Sequence, residues 1–443
     1  MNRSDSRPAV SAMSVWILGR EFALRFTGAA LQVGATWAVV DRLEPTIAGI
    51  YFEGFVLVYG ISALLRGKYE IYFAHYLISE SAPDLGIAEW TLLCALARRT
   101  LIRGAMACAA LLVLTTDLDI QEPQLRPYLE TFLPFMLAIP FSTLAMLFAG
   151  ALRAANRTLG SILISTYALN LTLIAAALFA TEEHLLLVLS WTFCSGTLLA
   201  AGIGALIARR VFNGRNAPLT PRVSAWRDVY TGVASHGVTG WALAALQWGP
   251  LSVLAVMGPA LQIAEYAVVA RTAQVVEIML PVMLFAPGCH ALQPSFTQYV
   301  RSERMRLLAN LGVALAAAST WVALLLIAAP WLLPLFGPPY AVLGTLLTVL
   351  LCMQWITGIG RPAIRFLSAS WHPKRIRNAL CISGGVAIAI SLVSTRQHGA
   401  YAAAVATFAG ALLINGQAIF AALRISERLR TGVSVSQAPA RPG

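Results

Sequence analysis

The chain has 443 residues, of which 58% are hydrophobic and 12% charged, with a mean hydropathy of +0.71 and a formal charge of +12. Soluble domains carry about 25% charged residues, so this composition excludes an ordinary water-soluble enzyme. The apolar residues come in blocks: Leu171 to Ala180, Leu185 to Ala208 and Asn310 to Leu335 are nearly free of charge over membrane-spanning lengths. Helices satisfy their own backbone in lipid. The expectation is therefore an all-α, polytopic membrane protein of about twelve transmembrane helices.

In chain order the helices are predicted at 20–40, 46–65, 92–116, 129–150, 158–180, 185–208, 229–256, 264–288, 307–330, 340–364, 376–395 and 399–424. The third carries Arg98, Arg99 and Arg103 at its start, and the 66–91 stretch before it reads as an amphipathic segment at the interface. With the amino terminus in the cytoplasm, 28 of the 32 basic residues fall in inner tails, loops and helix ends. Three (Arg42, Arg126 and Arg396) fall outside, and Arg271 lies within a helix. That asymmetry is the positive-inside signature and places both termini in the cytoplasm. It also supports an even helix count.

The basic residues are 30 Arg and only Lys68 and Lys374, spread between apolar blocks rather than gathered in one patch, so no nucleic acid partner is expected. The six cysteines (Cys94, Cys108, Cys194, Cys289, Cys352 and Cys381) are isolated, which argues against a disulfide framework or a zinc site. The histidines show no metal spacing, and neither metal nor cofactor is expected. Gly67-Lys68 precedes Tyr69 and position 62 is Ser, so there is no phosphate-binding loop for ATP. The first apolar stretch, broken by Arg20, Glu21 and Arg25, does not read as a cleaved signal peptide.

The longest inner segment, 209–228, reads as a basic cytoplasmic linker between an N-terminal lobe (1–208) and a C-terminal lobe (229–426). A flexible tail (427–443) follows, Pro-, Ala- and Ser-rich from Ser434 to Gly443. The lobes show an internal repeat at an offset of 215. Ala29-Ala30-Leu31-Gln32-Val33-Gly34 aligns with Ala244-Ala245-Leu246-Gln247-Trp248-Gly249, and the same register pairs Tyr51 with Tyr266, Leu152 with Leu367 and Arg209 with Arg424. Six helices per lobe would make the repeat parallel, about an axis along the membrane normal.

Three segments carry a resemblance to a known family: Gln247 to Arg271, Gly150 to Arg157, and Phe336 to Tyr340 followed by Phe366 to Arg375. With twelve helices and a basic central loop, they resemble the polysaccharide (O-antigen type) flippases of the multidrug/oligosaccharidyl-lipid/polysaccharide exporter superfamily. The chain departs from that pattern at Trp248-Gly249-Pro250, where relatives often place a charged residue, and the coupling ion stays open. The resemblance implies two six-helix lobes around a central cavity. It also implies export of a polyprenyl-pyrophosphate-linked oligosaccharide from the inner to the outer leaflet of a bacterial cytoplasmic membrane. The implied partners are that lipid-linked oligosaccharide, membrane lipids and other polysaccharide assembly proteins, with the chain itself a monomer.

On the first helix Glu21, Arg25, Gly28 and Gln32 are spaced 4, 3 and 4, so they share a face. A charge in mid-bilayer costs at least about 2.5 kcal/mol, so this face is expected to meet a cavity or another helix. On the seventh helix His236, Gly240 and Gln247 form the matching stripe. The two stripes can wall the passage. Alternatively, Glu21 pairs with Arg25 and the glutamines bond neighbouring helices.

Arg271 is followed by Gln274 and Glu277 at steps of three. Glu53, the repeat equivalent of position 268, lies at similar depth. Glu53 and Arg271 can close an outer gate across the lobes, or each is satisfied within its own lobe. A pyrophosphate needs cations along its route, since Arg grips phosphate in two places at once. Arg20, Arg25 and Arg271 are candidates for that route. Arg361 and Arg365 read rather as headgroup anchors. The substrate-binding set is thus Arg20, Arg25, Gln32, His236, Gln247 and Arg271, with Glu21, Glu53 and Glu277 for gating or ion coupling.

The rival transport function is a cation-coupled small-molecule antiporter, for which Glu53 and Glu277 are the acids available. An integral membrane glycan polymerase or ligase is disfavoured, because every outer loop is about a dozen residues or fewer.

Overall fold

The computed structural model describes residues 12–67, 69–78, 88–121, 126–182, 184–213, 223–284, 300–369 and 373–430. Among them there is no β-strand. The elements are α1 (Ala12–Arg42), α2 (Pro45–Arg66), α3 (Tyr69–Ile78), α4 (Glu89–Gln121) and α5 (Arg126–Ala154). A π-turn (Leu163–Tyr167) joins α6 (Thr158–Ile162) to α7 (Ala168–Phe179), and α8 (Leu185–Phe212), α9 (Val223–Met257), α10 (Ala260–Leu284) and α11 (Val300–Leu332) follow. A 3-10 turn (Leu333–Phe336) then leads into α12 (Pro338–Ala341), α13 (Gly344–Ala369) and α14 (Pro373–Arg430).

Local chemistry sets the ends of these rods. Pro45 opens α2 in the first turn, where no N–H partner is lost, and Gly67 closes it with φ +54°, a left-handed conformation that a glycine adopts without strain. Gly399 (φ 52°, ψ −125°) breaks α14 into two limbs that fold back on each other. Several helices start earlier than hydropathy suggests: α1 at Ala12, α9 at Val223 and α11 at Val300. Apolarity marks the span that would lie in hydrocarbon, while the hydrogen-bonded rod runs on into polar sequence.

Three expectations on connecting segments are affected. The 209–228 linker is helical at both ends, in α8 and α9, and 214–222 lie outside the described residues. The 66–91 stretch contains α3, which is not laid on the surface: Tyr69, Phe73 and Tyr76 are buried against α5 and α4. The remainder of that stretch at 79–87, Cys289, and the tail Ser434 to Gly443 lie outside the described residues.

Nine helices among the described residues are long and apolar enough to cross a membrane, and one of them, Ile376–Glu427, is the bent pair of limbs. The two long helices that miss this standard are α1, with 31 residues, and α10, with 25. At about 1.5 Å per residue both exceed the roughly 30 Å of a hydrocarbon core. Of the two, α1 carries Arg20, Glu21, Arg25, Asp41 and Arg42, and α10 carries Glu265, Arg271 and Glu277. These two lie against each other.

The cores are distributed unevenly along the bundle. At the end where α1 finishes and α2 begins, a single apolar core draws on both halves of the chain. Ala35, Val39, Phe52, Phe135, Leu173 and Phe193 meet Leu254, Val268, Val276, Leu347, Leu351 and Ala403 there. At the opposite end, where α2, α5 and α8 finish with Arg66, Arg153 and Arg209-Arg210, the core divides. One part holds Phe73, Leu93, Leu152 and Phe212 of the N-terminal lobe. The other holds Leu307, Ala363, Leu367, Leu380 and Ala418 of the C-terminal lobe. The repeat partners Leu152 and Leu367 sit in these matching cores, while Tyr51 and Tyr266 are both buried, at 1% and 4% exposed.

Candidate functional site

The two lobes meet where α2 lies against both α9 and α10, and where α1 lies against α10. The seam along α2 is dry. A methyl group on Gly49 would overlap the backbone of Ala260 at the start of α10, and one on Gly60 would lie 3.7 Å from Ser252 Oγ and Trp248 Cβ of α9. Further along, Trp241 Nε1 donates to the Leu64 carbonyl at 2.9 Å, and Gly67 lies beside Gly237. Small residues permit this approach, which is how helices associate where lipid supplies no hydrophobic drive.

The α1–α10 seam is polar. Gln32 Nε2 donates to Gln274 Oε1 at 2.9 Å and to the Arg271 carbonyl at 3.3 Å. Arg271 NH1 donates to Thr36 Oγ1 at 3.2 Å, and Arg25 NH1 reaches the Ile278 carbonyl at 3.4 Å. On the α1 face toward the π-turn, Gly28 packs against Tyr167, whose hydroxyl donates to the Leu24 carbonyl at 2.7 Å and also meets Thr27. A π-turn adds a residue to a helical turn and re-aims its side chains. Nothing in the sequence pattern announced it.

Arg271 is 8% exposed, and among the described residues it has no carboxylate partner. Its guanidinium lies 4.1 Å from the ring centre of Phe55 and 5.9 Å from that of Phe52. From Phe55 the aromatic contacts continue to Tyr59 at 4.3 Å, and Tyr59 stacks on Trp248 across the lobes at 5.7 Å and 13°.

The expected Glu53–Arg271 pair is not formed. At about 100° per residue, Glu53 is turned away from Phe52 and Phe55, the side chains that cover Arg271. Glu53 is half-buried, with no ion pair among the described residues. Arg271 does cross between the lobes, but to a hydroxyl and two rings.

At the divided end of the bundle, charged side chains gather between the two cores. Glu21 pairs with Arg25 at 3.6 Å, Arg66 with Glu70 at 3.4 Å, and Arg361 with Glu277. Arg153 interacts with Glu70 of its own lobe and with Glu277 of the other, and is repelled by Arg66 and Arg361. Arg25 likewise feels Arg153 and Arg361. Four cations thus share three carboxylates. Arg361, expected as a headgroup anchor, is instead drawn inward by Glu277. Arg66 and Arg153 were not among the residues singled out from sequence. Their positions at helix ends look like topology signals, and only the folded arrangement brings them to the lobe boundary.

The remaining candidates are placed as follows. Arg20 is exposed near the start of the described chain. His236 lies in α9, with its side chain outside what is described. Gln247 is exposed and has no hydrogen-bond partner among the described residues, while Gly240, Ala244, Leu251 and Leu254 on the same face are buried. The helix 1 stripe shows the contacts of the second expectation, with Glu21 and Arg25 paired along the helix and Gln32 bonded across the lobes.

No protein-family model matches the chain, and no curated protein matches it in sequence. Solved structures do match over nearly the whole length. An inward-facing multidrug resistance MATE family transporter of the MOP superfamily aligns with TM-score 0.66 at 13% identity, covering 93% of this chain and 99% of that one. Lipid II flippase MurJ, in an inward closed conformation, aligns with TM-score 0.62 at 14% identity, covering 93% and 90%. A MOP superfamily transporter from Pyrococcus furiosus aligns with TM-score 0.57 at 13% identity, covering 93% and 95%.

The chain has the fold of these transporters. At such identities the likeness is one of architecture, two helical lobes about a central seam.

Proposed function

We propose that the chain is a membrane transporter that carries a polyprenyl-pyrophosphate-linked oligosaccharide from the inner to the outer leaflet by alternating access, in the service of cell-surface polysaccharide synthesis. The observation that carries this reading is Arg271. A buried guanidinium without a carboxylate among the described residues is held by weak partners, a hydroxyl and two aromatic faces. Burying an unpaired charge is unfavourable, so an anion offered at the opened seam would bind it strongly. A pyrophosphate matches its fork of donors. The cations Arg25, Arg66, Arg153 and Arg361 at the divided end form an entry route for the same anion. By the distribution of arginines that end faces the cytoplasm of a bacterial inner membrane. The sugar and pyrophosphate ride between the lobes while the polyprenyl tail stays in lipid.

Glu53 favours a second reading, a cation-coupled small-molecule antiporter. It is a half-buried carboxylate without an ion-pair partner among the described residues, and an acid of that kind suits binding a proton or cation.

The test is reconstitution in proteoliposomes with a fluorescent polyprenyl-pyrophosphoryl sugar, scoring its appearance in the opposite leaflet. Charged hydrogen bonds contribute about 1.5–3 kcal/mol, so Arg271→Gln is expected to slow transfer by about tenfold to a hundredfold. Transfer that is absent in the parent protein, together with proton-driven uptake of a cationic dye, would replace the first reading with the second.

A further inference from the structure

Beyond the cation, the centre of the bundle holds an aromatic ladder whose polar atoms are unused. Phe55 and Tyr59 lie one turn apart on α2, and Trp248 on α9 stacks against Tyr59. All three are partly exposed where they border the shared core. Among the described residues, neither the Tyr59 hydroxyl nor the Trp248 indole N–H has a hydrogen-bond partner. Buried Tyr and Trp ordinarily satisfy these groups. Among their neighbours Trp241 Nε1 bonds the Leu64 carbonyl and Tyr266 bonds Thr407, while the deeply buried Tyr51 hydroxyl has no partner among the described residues. Next in sequence to Trp248 is Gln247, an exposed amide with no hydrogen-bond partner among the described residues. The ladder that begins at Arg271 thus ends on two rings with idle polar groups, Tyr59 and Trp248, and Gln247 lies next to Trp248 on α9.

We propose that Tyr59, Trp248 and Gln247 form a pyranose-binding platform that recognises the first sugar ring of the cargo. This rests on the transport reading above and adds to it which part of the cargo is recognised, and by what. The negative face of an aromatic ring attracts the C–H groups that a pyranose presents on its flatter side. The hydroxyls around the ring edge then meet the Tyr59 hydroxyl, the Trp248 N–H and the Gln247 amide, which between them donate and accept. Arg271 lies at the Phe55 end of the same ladder. A pyrophosphate held there would bring the sugar attached to it onto Tyr59 and Trp248. Because Tyr59 belongs to one lobe and Trp248 to the other, the ring can replace their mutual stack when the lobes part.

The experiment uses the full chain in nanodiscs and two probes, undecaprenyl pyrophosphate and the same lipid bearing one N-acetylglucosamine. The parent protein is expected to bind the sugar-bearing probe at least about tenfold more tightly, a difference of about 1.4 kcal/mol. The double variant Tyr59→Phe/Trp248→Phe keeps stacked rings and deletes both polar atoms. It should bring the two affinities to within about threefold while binding of the sugar-free lipid is unchanged. Gln247→Leu, at an exposed position that cannot unfold the core, should lower the preference by itself, so the outcome does not depend on the double variant folding. Equal affinity for both probes in the parent overturns the platform and leaves the pyrophosphate site standing. An undiminished preference in both variants overturns it too. Failure of the parent to bind either probe removes the transport reading and the platform with it.

Discussion

Along α2 and α9 the lobes meet through glycines and aromatic rings, whereas along α1 and α10 they meet through two amides, a guanidinium and a threonine hydroxyl. The two seams join the same lobes in the same fold, yet they would respond differently to opening. Close packing between small residues has no substitute once lost. Hydrogen bonds at the polar seam can be replaced by water or by a charged cargo. The glycine contacts of α2 are therefore the ones that hold the lobes together, while the polar seam and the Tyr59–Trp248 stack are where partners can be exchanged.

The sharpest way to break this contrast is to fill the dry seam. Gly49→Val places side-chain atoms where the Ala260 backbone lies, and overpacking of this kind destabilises by about 1–3 kcal/mol or more. A large drop in melting temperature in detergent, or loss of monodisperse protein, is expected. Gly312→Val is the control, since nothing lies within 4 Å of a methyl group there. Equal melting temperatures for the two variants would show that α2 and the start of α10 are not closely packed.

A smaller effect is expected at the divided end. Glu277→Gln removes the carboxylate that serves Arg361 and also attracts Arg153. The cations that remain repel one another across the boundary, and the lobes should spend more time apart at that end. Ile278→Cys provides a reporter, because Arg25 holds its backbone carbonyl rather than its side chain. Its labelling by a membrane-impermeant maleimide should rise several-fold in the Glu277→Gln background. These pairs are part-exposed and screened, so the effect should shrink in high salt. An unchanged rate at low salt would mean that Glu277 does not hold this end closed.

The same contrast explains what could be learned from the sequence. Apolar blocks and the asymmetric arginines identify long helices because lipid leaves few alternatives. The offset of 215 finds equivalent positions such as Leu152 and Leu367, each buried in its own lobe. Spacing alone also put Gln32 on the inward face of α1. It could not rank partners, because depth along two helices says nothing of their rotation. Glu53 and Arg271 lie at similar depth and still miss each other, since Phe52 and Phe55 occupy the face between. The Tyr59–Trp248 stack joins residues far apart in the chain and leaves no periodic trace. Arg153 looks like a topology mark until Glu277 is folded beside it.

The smallest effect belongs to the polar seam itself. Side-chain hydrogen bonds between membrane helices average about 0.6 kcal/mol in double-mutant cycles, so the Gln32–Gln274 bond should contribute little to stability. Gln32→Leu leaves the Gln274 amide without its partner, and Gln274→Leu does the same to Gln32. An unsatisfied buried polar group costs more than the bond was worth. The double variant Gln32→Leu/Gln274→Leu should therefore be more stable than the sum of the two single losses predicts, as melting curves in one detergent would show. Transport should separate from stability here. The double variant keeps the lobes packed, but it offers no amide to take up water or sugar when α1 and α10 part, so it should be stable and slow. Additive losses with undiminished transport would mean that the two amides never part from water, and that the seam is already open where it is drawn closed.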